Sequence, residues 1–137
     1  MDTVFIGKEY IEQVLACQPT PGKHQLEPLK TFAAEKKLPC GILEDSALLE
    51  NEAEVHARVG DLWYCLQGEV EFICGGELTD SWVREGSGGN EIAGKGIKNG
   101  TTHVLKAGDW LWIPPGEPHT HTTPGTARLM IIKVPQV

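Results

Sequence analysis

From Gly41 onward the sequence is a series of short β-branched and aromatic runs cut by Gly, Pro, Asn and Asp, and this punctuation restricts the fold more than any other feature. The runs Gly41 to Leu49, Ala53 to Arg58, Asp61 to Gln67, Glu69 to Cys74, Thr101 to Lys106, Asp109 to Ile113, His119 to Thr122 and Ala127 to Val134 have strand length and strand composition. Leu66-Gln67-Gly68-Glu69 and Lys106-Ala107-Gly108-Asp109 read as tight turns between neighbours. With no helical pattern between the runs, the expectation is an all-β, antiparallel sandwich or barrel.

Two regions depart from this texture. Lys8 to Cys17 has apolar residues at Tyr10, Ile11, Val14 and Leu15, which is helical spacing, and Pro19, Pro21 and Gly22 end it. Leu29 to Lys37 reads as a second short helix or an extended edge segment. Residues 1–40 are therefore expected to be a partly helical N-terminal arm packing on a barrel of residues 41–137. Gly75 to Gly100 holds eight glycines and few large apolar anchors, so it is expected to be a long connection, either a lid or a solvated hairpin extension. Within it, Gly89 to Lys95 imitates a phosphate loop, but Gly96 stands where Ser or Thr is needed and no helix follows.

Composition limits the partners. A chain of 137 residues is one domain, and a formal charge of −7 opposes nucleic acid, whose phosphates need the opposite sign. No apolar run is long enough to span a membrane and no secretion signal is visible, so the expected setting is cytoplasmic. There Cys17, Cys40, Cys65 and Cys74, widely spread and without a CxxC pair, are expected to be reduced thiols.

The chemistry concentrates in Gly108 to Thr123, GDWLWIPPGEPHTHTT. Pro114-Pro115-Gly116 is a turn, and it delivers His119 and His121 at the head of a strand. Strand alternation puts both imidazoles, with Thr123, on one face. His24 and His103, by contrast, read as ordinary packed or surface residues.

Gly108 to His119 resembles the second motif of the cupin superfamily position by position: Gly108, five residues, Pro114, one residue, Gly116, two residues, His119. His56 to Gly68 is similar to a degenerate first motif, in which Asp61 stands for the usual Glu and Gly68 follows at the usual spacing. Arg58 stands where that motif has the second histidine of its pair, and Thr123 where the second motif ends in Asn. The resemblance implies an antiparallel double-stranded β-helix, a jelly-roll barrel, with one metal held inside by imidazoles and a carboxylate. It also implies a homodimer.

On the residues themselves, His56, Asp61 and His119 make a two-histidine, one-carboxylate set suited to Fe(II), and His121 as a fourth ligand would also accept Zn, Mn or Ni. Alternation places Arg58 on the face of His56. It either pairs with Asp61, leaving a metal-free pocket, or takes a catalytic role by clamping an acidic substrate. Trp63 and Thr123 are expected to wall the pocket, whereas Trp110 and Trp112 belong to the core or a dimer interface. Two function classes stay open: a small metal-dependent enzyme of dioxygenase, isomerase or decarboxylase type acting on a small acidic molecule, and a non-catalytic small-molecule-binding module.

Overall fold

The computed structural model describes residues 2–136. Its elements in chain order are α1 (Lys8–Val14), β1 (Gly22–Gln25), α2 (Leu29–Lys36), β2 (Cys40–Leu48), β3 (Ala53–His56), β4 (Val59–Gln67), β5 (Glu69–Cys74), β6 (Glu77–Thr79), β7 (Trp82–Val83), β8 (Glu91–Gly94), β9 (Gly96–Lys98), β10 (Thr101–Lys106), β11 (Trp110–Ile113) and β12 (His119–Pro135). All strand pairings are antiparallel.

One strand, β12, belongs to both faces of the barrel. Its first residues, His119 to Thr122, pair with β5, and His119 also pairs with Glu54 of β3. Its later part, Thr126 onward, lies between β2 and β4. The register shifts between Thr123 and Thr126, where Pro124 and Gly125 interrupt the ladder. Proline cannot donate to a ladder, so a long strand bends at this point and changes sheet. The runs expected as two strands, His119 to Thr122 and Ala127 to Val134, are thus one bent strand. One face orders as β1-β2-β12-β4-β11 and the other as β10-β5-β12-β3-β8-β7.

Apolar side chains of alternating strand positions fill the space between the faces. Trp63, Cys65, Val70, Phe72, Leu105, Leu129 and Ile131 are all buried there. The turn between β4 and β5 requires glycine at Gly68: φ is +77°, and a Cβ would lie 2.1 Å from the Thr126 carbonyl oxygen.

The N-terminal segment covers the outside of the first face. Val14 of α1 and Leu29 and Ala33 of α2 bury against Ile42, with Tyr10, Phe32, Leu66 and Met130 around them. Strand β2 is therefore buried on both sides, Ile42 and Glu44 under the helices and Leu43 and Asp45 toward the interior. Arg128 locks this layer. Its guanidinium pairs with fully buried Glu44 at 2.8–2.9 Å and donates to the carbonyls of Leu15 and Cys17 just beyond α1. The arm also supplies an edge strand, β1, which the sequence reading missed.

The Gly75 to Gly100 segment is not a bare loop or a detached lid. β8 pairs with β3 and β7 with β8, which extends the second face beside His56, while β6 and β9 form a separate two-stranded sheet. Gly89 to Lys95, the phosphate-loop look-alike, ends in strand β8 and carries no helix.

Candidate metal centre

Four side chains from three strands converge at one end of the barrel. Glu54 and His56 end β3, Asp61 lies early in β4, and His119 opens β12. The turn ahead of β12 is tied to β3 by a hydrogen bond from the Gly116 N–H to the His56 carbonyl, 2.8 Å. This bond brings histidines from distant parts of the sequence together, with ring centroids 5.2 Å apart.

Asp61 Oδ2 lies 3.4 Å from both His56 Nε2 and His119 Nε2. Glu54 Oε1 lies 3.5 Å from His56 Nε2 and 3.6 Å from His119 Nε2. Glu54, His56 and His119 each offer a donor atom within 4.8 Å of one another, a spacing a divalent transition metal can bridge, and Asp61 Oδ2 lies beside both imidazoles. Among the described residues, Asp61 Oδ2 and His119 Nε2 are also buried with no hydrogen-bond partner. Buried polar atoms are almost always satisfied, and at 3.4 Å this facing pair leaves room for a closer partner. The donor chemistry, imidazole and carboxylate, suits Fe, Mn, Ni or Zn.

Each donor is oriented from behind. His119 Nδ1 lies 3.0 Å from the Glu117 carbonyl, which fixes a tautomer that leaves Nε2 free for the cluster. Each carboxylate splits its two oxygens. Glu54 gives Oε2 to Arg84 at 2.8 Å, and Asp61 gives Oδ1 to Lys133 at 2.7 Å. Arg84 is itself shared with Glu52 and Glu91.

The electrostatics follow from this crowding. Burial alone would lower the pKa of His119, but the carboxylates of Asp61 and Glu54 outweigh it and push the value up to about 9. His56 is raised for the same reason, with Lys133 opposing. Burial would raise both acids, yet His119 and His56 hold Glu54 and Asp61 well below the ordinary carboxylate range.

Some expected residues lie elsewhere. Arg58 is exposed, and its guanidinium donates to the Gly88 carbonyl at 3.3 Å. Strand β3 ends at His56, so Ala57 and Arg58 form a bend and alternation no longer carries Arg58 inward. The expected Arg58–Asp61 pair is replaced by Lys133–Asp61. His121 faces inward, but its Nδ1 pairs with Asp45 Oδ2 at 2.5 Å and its ring packs on Trp63 and Phe72. Trp63 is a core residue, 4% exposed. Thr123 donates its hydroxyl to the Glu69 carbonyl, 2.7 Å, beside a surface cleft of about 390 Å³ lined by Glu71, Val104 and Thr126. Trp110 and Trp112 are exposed on β11.

Glu54, Arg84, Lys133 and Asp45 were not anticipated. Glu54 was legible as the i−2 neighbour of His56 on the same strand face. Lys133, 77 positions from His56, carried no local signal. All four cysteines are free thiols, and burial raises the pKa of Cys74 to about 11. Among the described residues no helix is long and apolar enough to cross a membrane.

No protein-family model matches the sequence, and comparison with curated proteins finds no match. Solved structures do overlap it. The Drosophila melanogaster CENP-C cupin domain aligns with 72% of this chain and 58% of its own length, at 14% identity and a TM-score of 0.52. A further structure of Drosophila melanogaster CENP-C aligns with 81% of this chain and 64% of its own, at 13% identity and a TM-score of 0.51. A recombinant oxalate oxidase in complex with glycolate aligns with 72% of this chain and 42% of its own, at 19% identity and a TM-score of 0.49. In each case this chain spans less than two thirds of the other. Two antiparallel faces sharing one bent strand, together with the CENP-C overlaps, show that the chain has the cupin fold.

Proposed function

We propose that this chain is a metal-binding cupin in which Glu54, His56, Asp61 and His119 hold one divalent transition metal, Fe, Mn, Ni or Zn, and that it works as a small metal-dependent enzyme on an acidic molecule. The observation that carries the reading is the convergence of donor atoms from Glu54, His56 and His119 within 4.8 Å of one another, with Asp61 Oδ2 at 3.4 Å from both imidazoles. When bound, such an ion acts as a Lewis acid that polarises a substrate oxygen or activates dioxygen. The chain's own residues set the rest. Arg84 holds the outer oxygen of Glu54 and is shared with Glu52 and Glu91, while in the metal-free protein Lys133 holds that of Asp61, so an anionic ligand would be drawn by the ion and by these cations at the rim. Arg84, Glu91 and Lys133 are partly exposed and place the approach on their side of the cluster. His121, within the same β12 segment as His119, is held by Asp45 and lies outside the ligand set in this reading.

A second reading has support of its own. Lys133 on Asp61 and a raised His119 allow the cluster to satisfy its charges without an ion, as a non-catalytic binding module would. For assembly, the exposed Trp110 and Trp112 on edge strand β11 are the surface through which a homodimer would form.

The test is elemental analysis by plasma mass spectrometry on protein purified without added metal or a histidine tag, in parallel with His119→Ala. About one equivalent of metal that is lost in the variant supports the enzyme reading and justifies an oxygen-consumption screen with small carboxylic acids. Absence of metal from both proteins, even after incubation with Fe(II), Mn(II), Ni(II) or Zn(II), would leave the binding module.

A further inference from the structure

Lys133 stands in an unusual place for a cation. Its Nζ is 2.7 Å from Asp61 Oδ1 and 3.3 Å from His56 Nε2, on the rim of the cluster described above. His56 Nε2 is also one of the four converging donor atoms. The Nε2 of a neutral, Nδ1-protonated imidazole has one lone pair, which is given either to an N–H donor or to a metal but not to both. Lys133 and an ion therefore compete for the same atom.

We propose that Lys133 is a built-in stand-in for the metal: its ammonium holds His56 and Asp61 in the metal-free protein and withdraws toward solvent when the ion takes its place. This rests on the metal-binding reading of the site. Three features of the chain support it. The side chain is 43% exposed, so the head group has somewhere to go, and its flexible four-carbon stem can swing. Asp61 is 1% exposed and would be a buried, uncompensated charge without a cation beside it. Lys133 lies on β12 in alternation with the interior residues Leu129 and Ile131, so its backbone is fixed while its tip is not. A dication and an ammonium at such short range also repel, which favours withdrawal over accommodation.

Two measurements test the proposal without relying on activity. In the first, Mn(II) and Zn(II) affinities of the wild type and of Lys133→Met are compared by titration calorimetry at one pH. Lys133→Met should bind roughly tenfold more tightly, because no ammonium then stands against the His56 nitrogen that the ion needs. In the second, wild-type lysines are labelled with isotopic acetic anhydride with and without Zn(II), and peptide masses give each rate. The Lys133 rate should rise severalfold on metal loading relative to exposed Lys106. Metal binding that is equal or weaker in Lys133→Met, or a Lys133 rate that is unchanged or lower with Zn(II), overturns the proposal while leaving the metal site standing. If neither protein binds metal, the site reading and this inference fall together. Binding by Lys133→Met alone would be the strongest support for both.

Discussion

Asp61 Oδ2 and His119 Nε2 face each other at 3.4 Å inside the barrel, and neither atom has a hydrogen-bond partner among the described residues. An acid and a base this close, both about 1% exposed, hold each other charged, and in the proposed metal site both would turn to the ion. Asp61→Asn separates these roles because it keeps the shape and removes the charge. The His119 titration midpoint, followed by NMR, should fall from about 9 toward the ordinary histidine value, and metal affinity should drop at least about tenfold. An unmoved His119 midpoint would show that Asp61 is not its dominant partner.

The pH dependence of the metal-free protein has a definite sign. His119 is raised in the folded state, so its contribution to stability is complete below the unfolded value of about 6.5 and is lost as pH climbs through about 9. Glu54 and Asp61 are depressed, so theirs is complete above the unfolded carboxylate values and is lost as pH falls. Thermal melts of chelator-treated protein should peak between about pH 5 and 6.5. Metal affinity should run the other way across the alkaline limb, since the imidazoles must shed protons to bind. Melts that rise steadily from pH 6.5 to 9 without metal would contradict the charge pattern.

Arg128→Met tests how the helical arm is held. The variant leaves Glu44 buried with the half-exposed His24 ring at 3.2 Å and the Thr20 N–H at 3.0 Å, and removes the donor to the Leu15 and Cys17 carbonyls. Breaking one side of a buried ion pair costs about 3–5 kcal/mol, so urea unfolding should show a loss of that order, with early proteolysis before Pro19. A change below about 1 kcal/mol would mean that the apolar contacts of α1 and α2 suffice.

Arg58→Ala should do little. The side chain is exposed and, among the described residues, hydrogen-bonds only to the Gly88 carbonyl, so stability should change by less than about 0.5 kcal/mol and metal content should be unaltered. Loss of metal in this variant would return Arg58 to the site.

The barrel was legible in the sequence because its information is local. A strand needs only a short alternating run and a turn residue at each end, so Asp61 to Gln67 and Glu69 to Cys74 were placed within about two residues of their observed bounds. His56 and His119 were legible for a related reason, since a turn of fixed spacing delivers His119 to the head of a strand. Alternation, however, is valid only while the strand lasts. Continuing β3 beyond His56 turned Arg58 inward on paper, whereas the strand ends there and the true partner, Glu54, lies two residues earlier.

The remaining parts of the site depend on which strands become neighbours. Lys133 meets Asp61 across the β12–β4 ladder, where the two residues are register partners. Arg84 reaches Glu54 because β8 pairs with β3, and Asp45 takes His121 from across the interior. These pairings join residues separated by 30 to 76 positions, and nothing in either local stretch specifies the other. The sequence by itself determined the main barrel strands β2 to β5, β10 and β11, their turns and the histidines His56 and His119. Tertiary structure decided which charges face those histidines, because ion pairs act over a few ångströms of space and carry no period along the chain.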